Sequence, residues 1–223
     1  MAEVADLSPV QGQLTLSTFT TNGDYVNLSY DNISGESGGK SFREDFADAS
    51  TSSFSLGGSY TGDGVYHIIS SPNVTVWQNP LPRTATTVQE FRLAVDATIS
   101  QGDAEQIAYG LIFGDTGDFG YTMVLVSGSG VLTVVRKGSD GSSQEYINPI
   151  VLEQVTPGRN QKTRIELSLR NNELSVAING SDLGGLMLDN TPNGSVGMIV
   201  LCGDTNGQVD FDNFSLSELR ANE

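Results

Sequence analysis

The stretch Thr163–Gly180 reads TRIELSLRNNELSVAING, and its period decides the fold class. Ile165, Leu167 and Leu169 alternate with Glu166 and Ser168. After Asn171-Asn172 the alternation resumes with Leu174, Val176 and Ile178. Successive side chains on a strand point to opposite faces, so each half has one apolar and one polar face. Asparagine tolerates positive φ. Two asparagines between alternating runs therefore predict a tight hairpin over residues 163–179.

The same design recurs along the chain. In EFRLAVDATI (residues 90–99) Phe91, Leu93, Val95, Ala97 and Ile99 share one face, while Arg92, Asp96 and Thr98 take the other. YTMVLV and VLTVVRK, joined through Ser127–Gly130, predict a second hairpin. AYGLIFG (residues 108–114) is apolar on both faces and reads as a central strand covered on both sides. Gly110 within it marks a bulge or a close approach of another backbone. LTLSTF, YVNLSY, VYHIIS, VTVWQ, SVGMIVL and VDFDNFSL are further strands. In VDFDNFSL the apolar phase shifts between Phe211 and Phe214, which implies a bulge at Asp212-Asn213. No segment of helical length has a 3.6-residue period. The fold class is all-β, an antiparallel jelly-roll β-sandwich.

SGESGGKS (residues 34–41) has linker composition. Residues 1–40 are accordingly expected to be an N-terminal β-hairpin extension and linker, and residues 41–223 the sandwich. A lone hairpin is too small to stand by itself, so it should add to the sandwich edge or to a second chain. Self-association through it would make the protein a fibre or shell component. Lysine commonly guards free strand edges, and only Lys40, Lys137 and Lys162 are present.

Composition excludes several functions. The net charge is −16 with only 11 Lys and Arg, which disfavours nucleic acid and anionic lipid as partners. No apolar run reaches membrane-spanning length, so no membrane insertion is expected. The single Cys202 permits no internal disulfide and reads as a small buried hydrophobe. With one His, His67, and one Cys, the usual zinc ligands are lacking. The N-terminus has neither a basic n-region nor an apolar h-region, so no signal peptide is expected there.

The ordered set EDFAD, GDGVYHI, EFRLAVDATI, AYGLIFGDTGDFGYTMVLV, GVLTVVRKG, LRNNELSVAING, GSVGMIV and VDFDNFSL resembles the concanavalin A-like lectin/glucanase superfamily. It is most similar to bacterial family-16-glycosidase-like and 3-keto-disaccharide-hydrolase-like (LamG-like) domains. The resemblance spans about residues 42–219. It implies a jelly-roll sandwich, a sugar-binding role and an extracellular or cell-surface location. Retaining enzymes of this superfamily carry E-x-D-x-E on one strand, and that triplet is absent here. Glu90 and Asp96 lie about 20 Å apart on an extended strand. The resemblance thus points to a non-catalytic lectin-like module. A structural or oligomerising surface protein is the alternative, and a glycoside hydrolase-like enzyme the third reading.

Sugar binding calls for aromatic faces beside planar polar groups. The candidate ligand-binding residues are Trp77, Gln78, Tyr109, Tyr121 and Asp118. Calcium prefers six to eight hard oxygens, and Glu44, Asp45 and Asp212 are the candidate ligands of a structural ion. That site requires the first and last strands of the sandwich to lie together.

Overall fold

The computed structural model describes residues 14–20, 26–37, 40–45, 58–60, 66–70, 76–78, 90–115, 120–189, 194–203 and 206–219. Strands are numbered β1 to β18 in chain order and form two sheets, as the alternation requires. The first sheet runs from edge to edge through β12 (Ser143–Glu145), β11 (Val131–Lys137), β10 (Tyr121–Ser127), β9 (Ile107–Asp115), β17 (Ser195–Cys202), β1 (Leu14–Thr20) and β7 (Val76–Gln78). β13 (Ile150–Val151) also pairs with β11. The second sheet runs through β16 (Ser181–Met187), β15 (Glu173–Ile178), β14 (Lys162–Arg170), β8 (Phe91–Gln101), β18 (Gly207–Glu218), β2 (Val26–Tyr30), β6 (Tyr66–Ser70) and β5 (Gly58–Tyr60). β3 (Ile33–Ser37) pairs with both β18 and β4 (Lys40–Glu44).

The expected hairpins form. Asn171 (φ 50°) and Asn172 (φ 65°) both take positive φ between β14 and β15. β10 and β11 pair across the Ser127–Gly130 turn. β9 lies between β10 and β17 with Tyr109, Leu111, Ile112 and Phe113 buried. A Cβ on Gly110 would stand 1.9 Å from the Val124 carbonyl oxygen, which is the close backbone approach its position implies.

The N-terminal expectation needs correction. β1 and β2 do not form a hairpin: β1 enters the first sheet parallel to β17, and β2 enters the second parallel to β18. Each then has a neighbour on both sides, β17 and β7 for one, β18 and β6 for the other. That pairs backbone groups along both edges, whereas an added edge hairpin leaves one row unpaired. The stretch 34–41 is not a linker either. Its described residues, 34–37 and 40–41, pair with one another in β3 and β4, and β3 runs parallel to the last residues of β18. The described strands before residue 40 therefore belong to both sheets and are not an appendage.

The bulge in β18 explains why β2 and β3 are separate strands. β18 pairs with β2 as far as Phe211 and with β3 from Phe214, and its register on β8 shifts between Asp212 and Ser215. Asn213 (φ 53°) and Asn32 (φ 48°) take positive φ at matching points on the two sides. The Asn32 amide donates to Asp212 Oδ1 at 3.1 Å, and the Asp31 N–H donates to the Phe211 carbonyl at 2.9 Å. Both chains break step together, so the ladder resumes without loss of pairing.

The core lies between the sheets. Phe91 of the second sheet meets Phe113 of the first edge-on at 5.5 Å, and Tyr30 stacks on Phe211 at 5.5 Å. Each such fully buried side chain contributes about 1.5–3 kcal/mol. The first sheet also carries a smaller buried cluster on its outer face, formed by Ile112, Met123, Leu125 and Ile199. Over β8, β14 and β15 the second sheet keeps a largely polar outer face.

Candidate functional site

Register on the second sheet brings outward residues from five strands into rows. One row runs Ser217 (β18), Arg92 (β8), Ser168 (β14), Ser175 (β15) and Gly185 (β16). The next runs Ser215, Ala94, Glu166, Ala177 and Asp182. Small side chains predominate in both rows, with Arg92, Glu166 and Asp182 standing among them. The result is a trough of about 500 Å³, with Arg92, Arg164, Glu166 and Asp182 among its lining. Its rigidity comes from below, because Leu93, Leu167, Val176 and Leu216 at intervening positions are buried in the core. Sites built on paired strands hold their geometry better than sites on loops.

The polar groups of this face divide into two sets. Around the bulge they are paired with one another. Arg164 Nη1 donates to Asp96 Oδ1 at 3.1 Å, and Lys162 Nζ lies 3.5 Å from Asp96 Oδ2. The Asn213 amide donates to Asp96 Oδ2 at 2.9 Å and to Asp212 Oδ2 at 3.0 Å, bridging two carboxylates that face one another in register. Burial pushes the Asp96 carboxyl upward, but the Asn213 amide and the Arg164 and Lys162 cations outweigh it and hold the group below the ordinary aspartate value. Within the trough a second set stays open. Among the described residues, no protein hydrogen bond or ion pair engages the Arg92 guanidinium or the hydroxyls of Ser168, Ser175, Ser215 and Ser217.

The structure distributes the sequence-predicted residues differently. Tyr109 is a core residue, 3% exposed, and its hydroxyl donates to Thr163 Oγ1 at 2.9 Å across the two sheets. Its strand parity places it inward. Burial raises its phenol above the usual value despite that hydrogen bond. Tyr121 packs against the smaller outer cluster of the first sheet. Trp77 and Gln78 lie on edge strand β7. Trp77 shares a register row with Ser17, Ile199, Gly110 and Leu125. Asp118 lies outside the described residues.

The three candidate calcium ligands are not gathered. Among the described residues no group of three His, Cys, Asp or Glu side chains is placed to hold a metal ion. The start and end of the sandwich do lie together, since β18, β3 and β4 are neighbours. However, Glu44 falls in the row of Ile33 and Phe214, both buried in the core, whereas Asp212 pairs with outward Asp96. The pleat sends these carboxylates to opposite faces. Asp45 is exposed just beyond β4.

A second cavity of about 620 Å³ opens at one end of the sandwich, lined by Asp103, Glu105, Ser129 and Arg159 with glycine backbone between them. Its walls are loops, and the Asp103 carboxylate already caps a short 3₁₀ turn through the Glu105 N–H at 3.1 Å. The trough has the larger set of open polar groups.

Sequence reading missed the trough because Arg92, Glu166 and Ser168 look like ordinary outward residues one strand at a time. The available signal was their neighbours' size: Ala94, Ser175, Ala177, Ser215 and Ser217 are small for solvent-facing strand positions.

No family model and no curated protein matches the chain. Among solved structures, the carbohydrate-binding module CBM66 from Bacillus subtilis is similar with a TM-score of 0.48 and 15% identity, over 57% of this chain and 74% of that one. Sheep galectin-11, in complex with glycerol, gives 0.38 and 14%, over 57% and 86%. The Caenorhabditis elegans galectin LEC-6 gives 0.38 and 12%, over 55% and 81%. These three solved structures are a carbohydrate-binding module and two galectins.

Proposed function

We propose that this protein is a non-catalytic carbohydrate-binding module that takes its ligand in the trough on the second sheet. The observation that carries the reading is the row of open hydroxyls and guanidinium set on rigid strands. A saccharide presents many hydroxyls that donate and accept at once, and serine hydroxyls and an arginine fork complement both roles. The methyl groups of Ala94 and Ala177 in the adjoining row offer apolar contact to the CH face of a sugar ring. Such a module works where glycans are displayed, outside the cell or at its surface.

Hydrolysis fits this site poorly. A glycosidase pair needs one carboxyl kept protonated near neutral pH and another free to attack or to activate water. The facing pair on this sheet, Asp96 and Asp212, lies at the bulge beside the trough and is tied to Asn213, Arg164, Lys162 and Asn32, and Asp96 is shifted the wrong way for an acid.

The test is a glycan panel read by calorimetry and thermal melting, with Ser168→Trp as the blocking variant. Position 168 faces outward, so the indole fills the trough without touching the core. At least one glycan should bind the natural protein and raise its Tm. Ser168→Trp should abolish that binding and leave the unliganded Tm within a few degrees. Undiminished binding by Ser168→Trp, or no binding to any glycan, overturns the reading. Melts with calcium and with chelator, run alongside, test the expected structural ion directly.

A further inference from the structure

Most charged groups of the trough are already engaged. Arg164 serves Asp96 at 3.1 Å and the Asn213 carbonyl at 3.3 Å, and its Nε lies 3.8 Å from Glu166. Asp182 accepts the Gly184 N–H at 2.8 Å, and Glu90 accepts the Asn171 N–H at 3.1 Å. Arg92 is different. It is exposed and stands in register between Ser217 and Ser168, with Ser175 next in the row and no carboxylate among these neighbours.

Hydroxyls hydrogen-bond a guanidinium but do not neutralise it. In a chain of net charge −16, a central guanidinium without an acidic partner is the one place on this face where an anion is welcome. The planar fork of arginine matches a carboxylate bidentately, and such charge-assisted pairs are among the stronger hydrogen bonds. The overall charge sets the opposite limit. A polyanion would place further negative groups against an acidic surface and be repelled. Glu166 and Asp182 in the adjoining row act in the same direction, since they accept from sugar hydroxyls and reject a second anion.

We infer that the trough selects a saccharide bearing one isolated carboxylate, a uronic-acid type residue in an otherwise neutral glycan, with Arg92 forked to that carboxylate and the serine hydroxyls holding the ring. This rests on the carbohydrate-binding reading above and narrows its ligand class.

The experiment uses matched oligosaccharide pairs that differ only in CH₂OH against carboxylate at C6 of one residue, glucosyl against glucuronosyl and galactosyl against galacturonosyl. Titration calorimetry is run at low and at high salt, with a polyuronate as a third ligand. For at least one pair the acidic member should bind about tenfold more tightly at low salt, and added salt should narrow the gap. Arg92→Gln should remove the preference, so that the two members of that pair bind alike, and leave the Tm unchanged. Arg92→Lys should retain part of the preference, because charge survives while the fork is lost. Equal affinity within every pair, a preference that persists in Arg92→Gln, or tighter binding of the polyuronate overturns the inference while leaving carbohydrate binding intact. Failure of both members of every pair, together with the whole neutral panel, sinks both.

Discussion

Gly110→Ala should be among the most damaging single-methyl changes in this protein. The added Cβ would sit 1.9 Å from the Val124 carbonyl oxygen, 2.9 Å from its carbon and 3.1 Å from Leu125 Cα. A carbon–oxygen contact relaxes only near about 3.3 Å, so β9 and β10 must part by roughly 1.4 Å at this point. Both strands are interior to the first sheet, and β9 is also pinned by β17 on its other side. Neither can swing into solvent. Hydrogen bonds normally near 2.9 Å are stretched past useful length, and about two ladder bonds flank one residue pair. Two buried bonds at about 1–1.5 kcal/mol each, with about 1–2 kcal/mol of overpacking strain, give a loss of about 3–5 kcal/mol. That is a large part of the 5–15 kcal/mol typical of a folded domain. Urea unfolding followed by far-UV circular dichroism reads it as a midpoint lowered by about 1–3 M. Gly120→Ala is the control: a Cβ there meets nothing within 4 Å, and the expected change is under about 0.5 kcal/mol. A Gly110→Ala loss below 1 kcal/mol, with the spectrum unchanged, would refute the claim that backbone contact is what requires glycine at this position.

Three further outcomes follow from the same geometry. Asn172→Gly, at φ 65° in the two-residue loop, should raise stability by a few tenths to about 1 kcal/mol in the same urea assay, because Asn-Gly is a preferred pair for this turn. Asp96 has a folded pKa below its ordinary value of 3.8, so the stabilisation it provides is present above about pH 4 and is lost as pH falls through the native value. Asp96→Ala should therefore cost stability at pH 7 and flatten the decline seen on acidification in pH-dependent melts. Cys202 is 2% exposed and burial pushes its thiol up to about 11, so the native protein should resist a thiol reagent at pH 8 and react once unfolded. That thiol favours folding fully below about pH 9 and loses this contribution as pH rises through 11.

Local chemistry made much of the fold legible. Alternation in 163–170 and 173–178 identified strands, two adjacent asparagines identified their turn, and the phase change in VDFDNFSL located the bulge at Asp212-Asn213. These are short-range properties of a pleated chain, so a single sequence contains them. The stretch 34–41 misled for the same reason: its Ser and Gly content describes a flexible chain, and only the open flank of β18 beyond the bulge makes a strand of Ser34–Ser37. Tyr109 is a ligand candidate by aromatic type alone, which does not tell inside from outside on a strand that is buried on both faces.

The sequence by itself determined that the chain makes strands, where several of them turn, and that it carries a net charge of −16. Tertiary structure decided the partners of β1, β2 and β3, all of which pair parallel with strands more than 170 residues away. It also decided the site. Ser217, Arg92, Ser168 and Ser175 belong to four strands and become one row only through register, a long-range quantity fixed by the fit of the two sheets around their shared core.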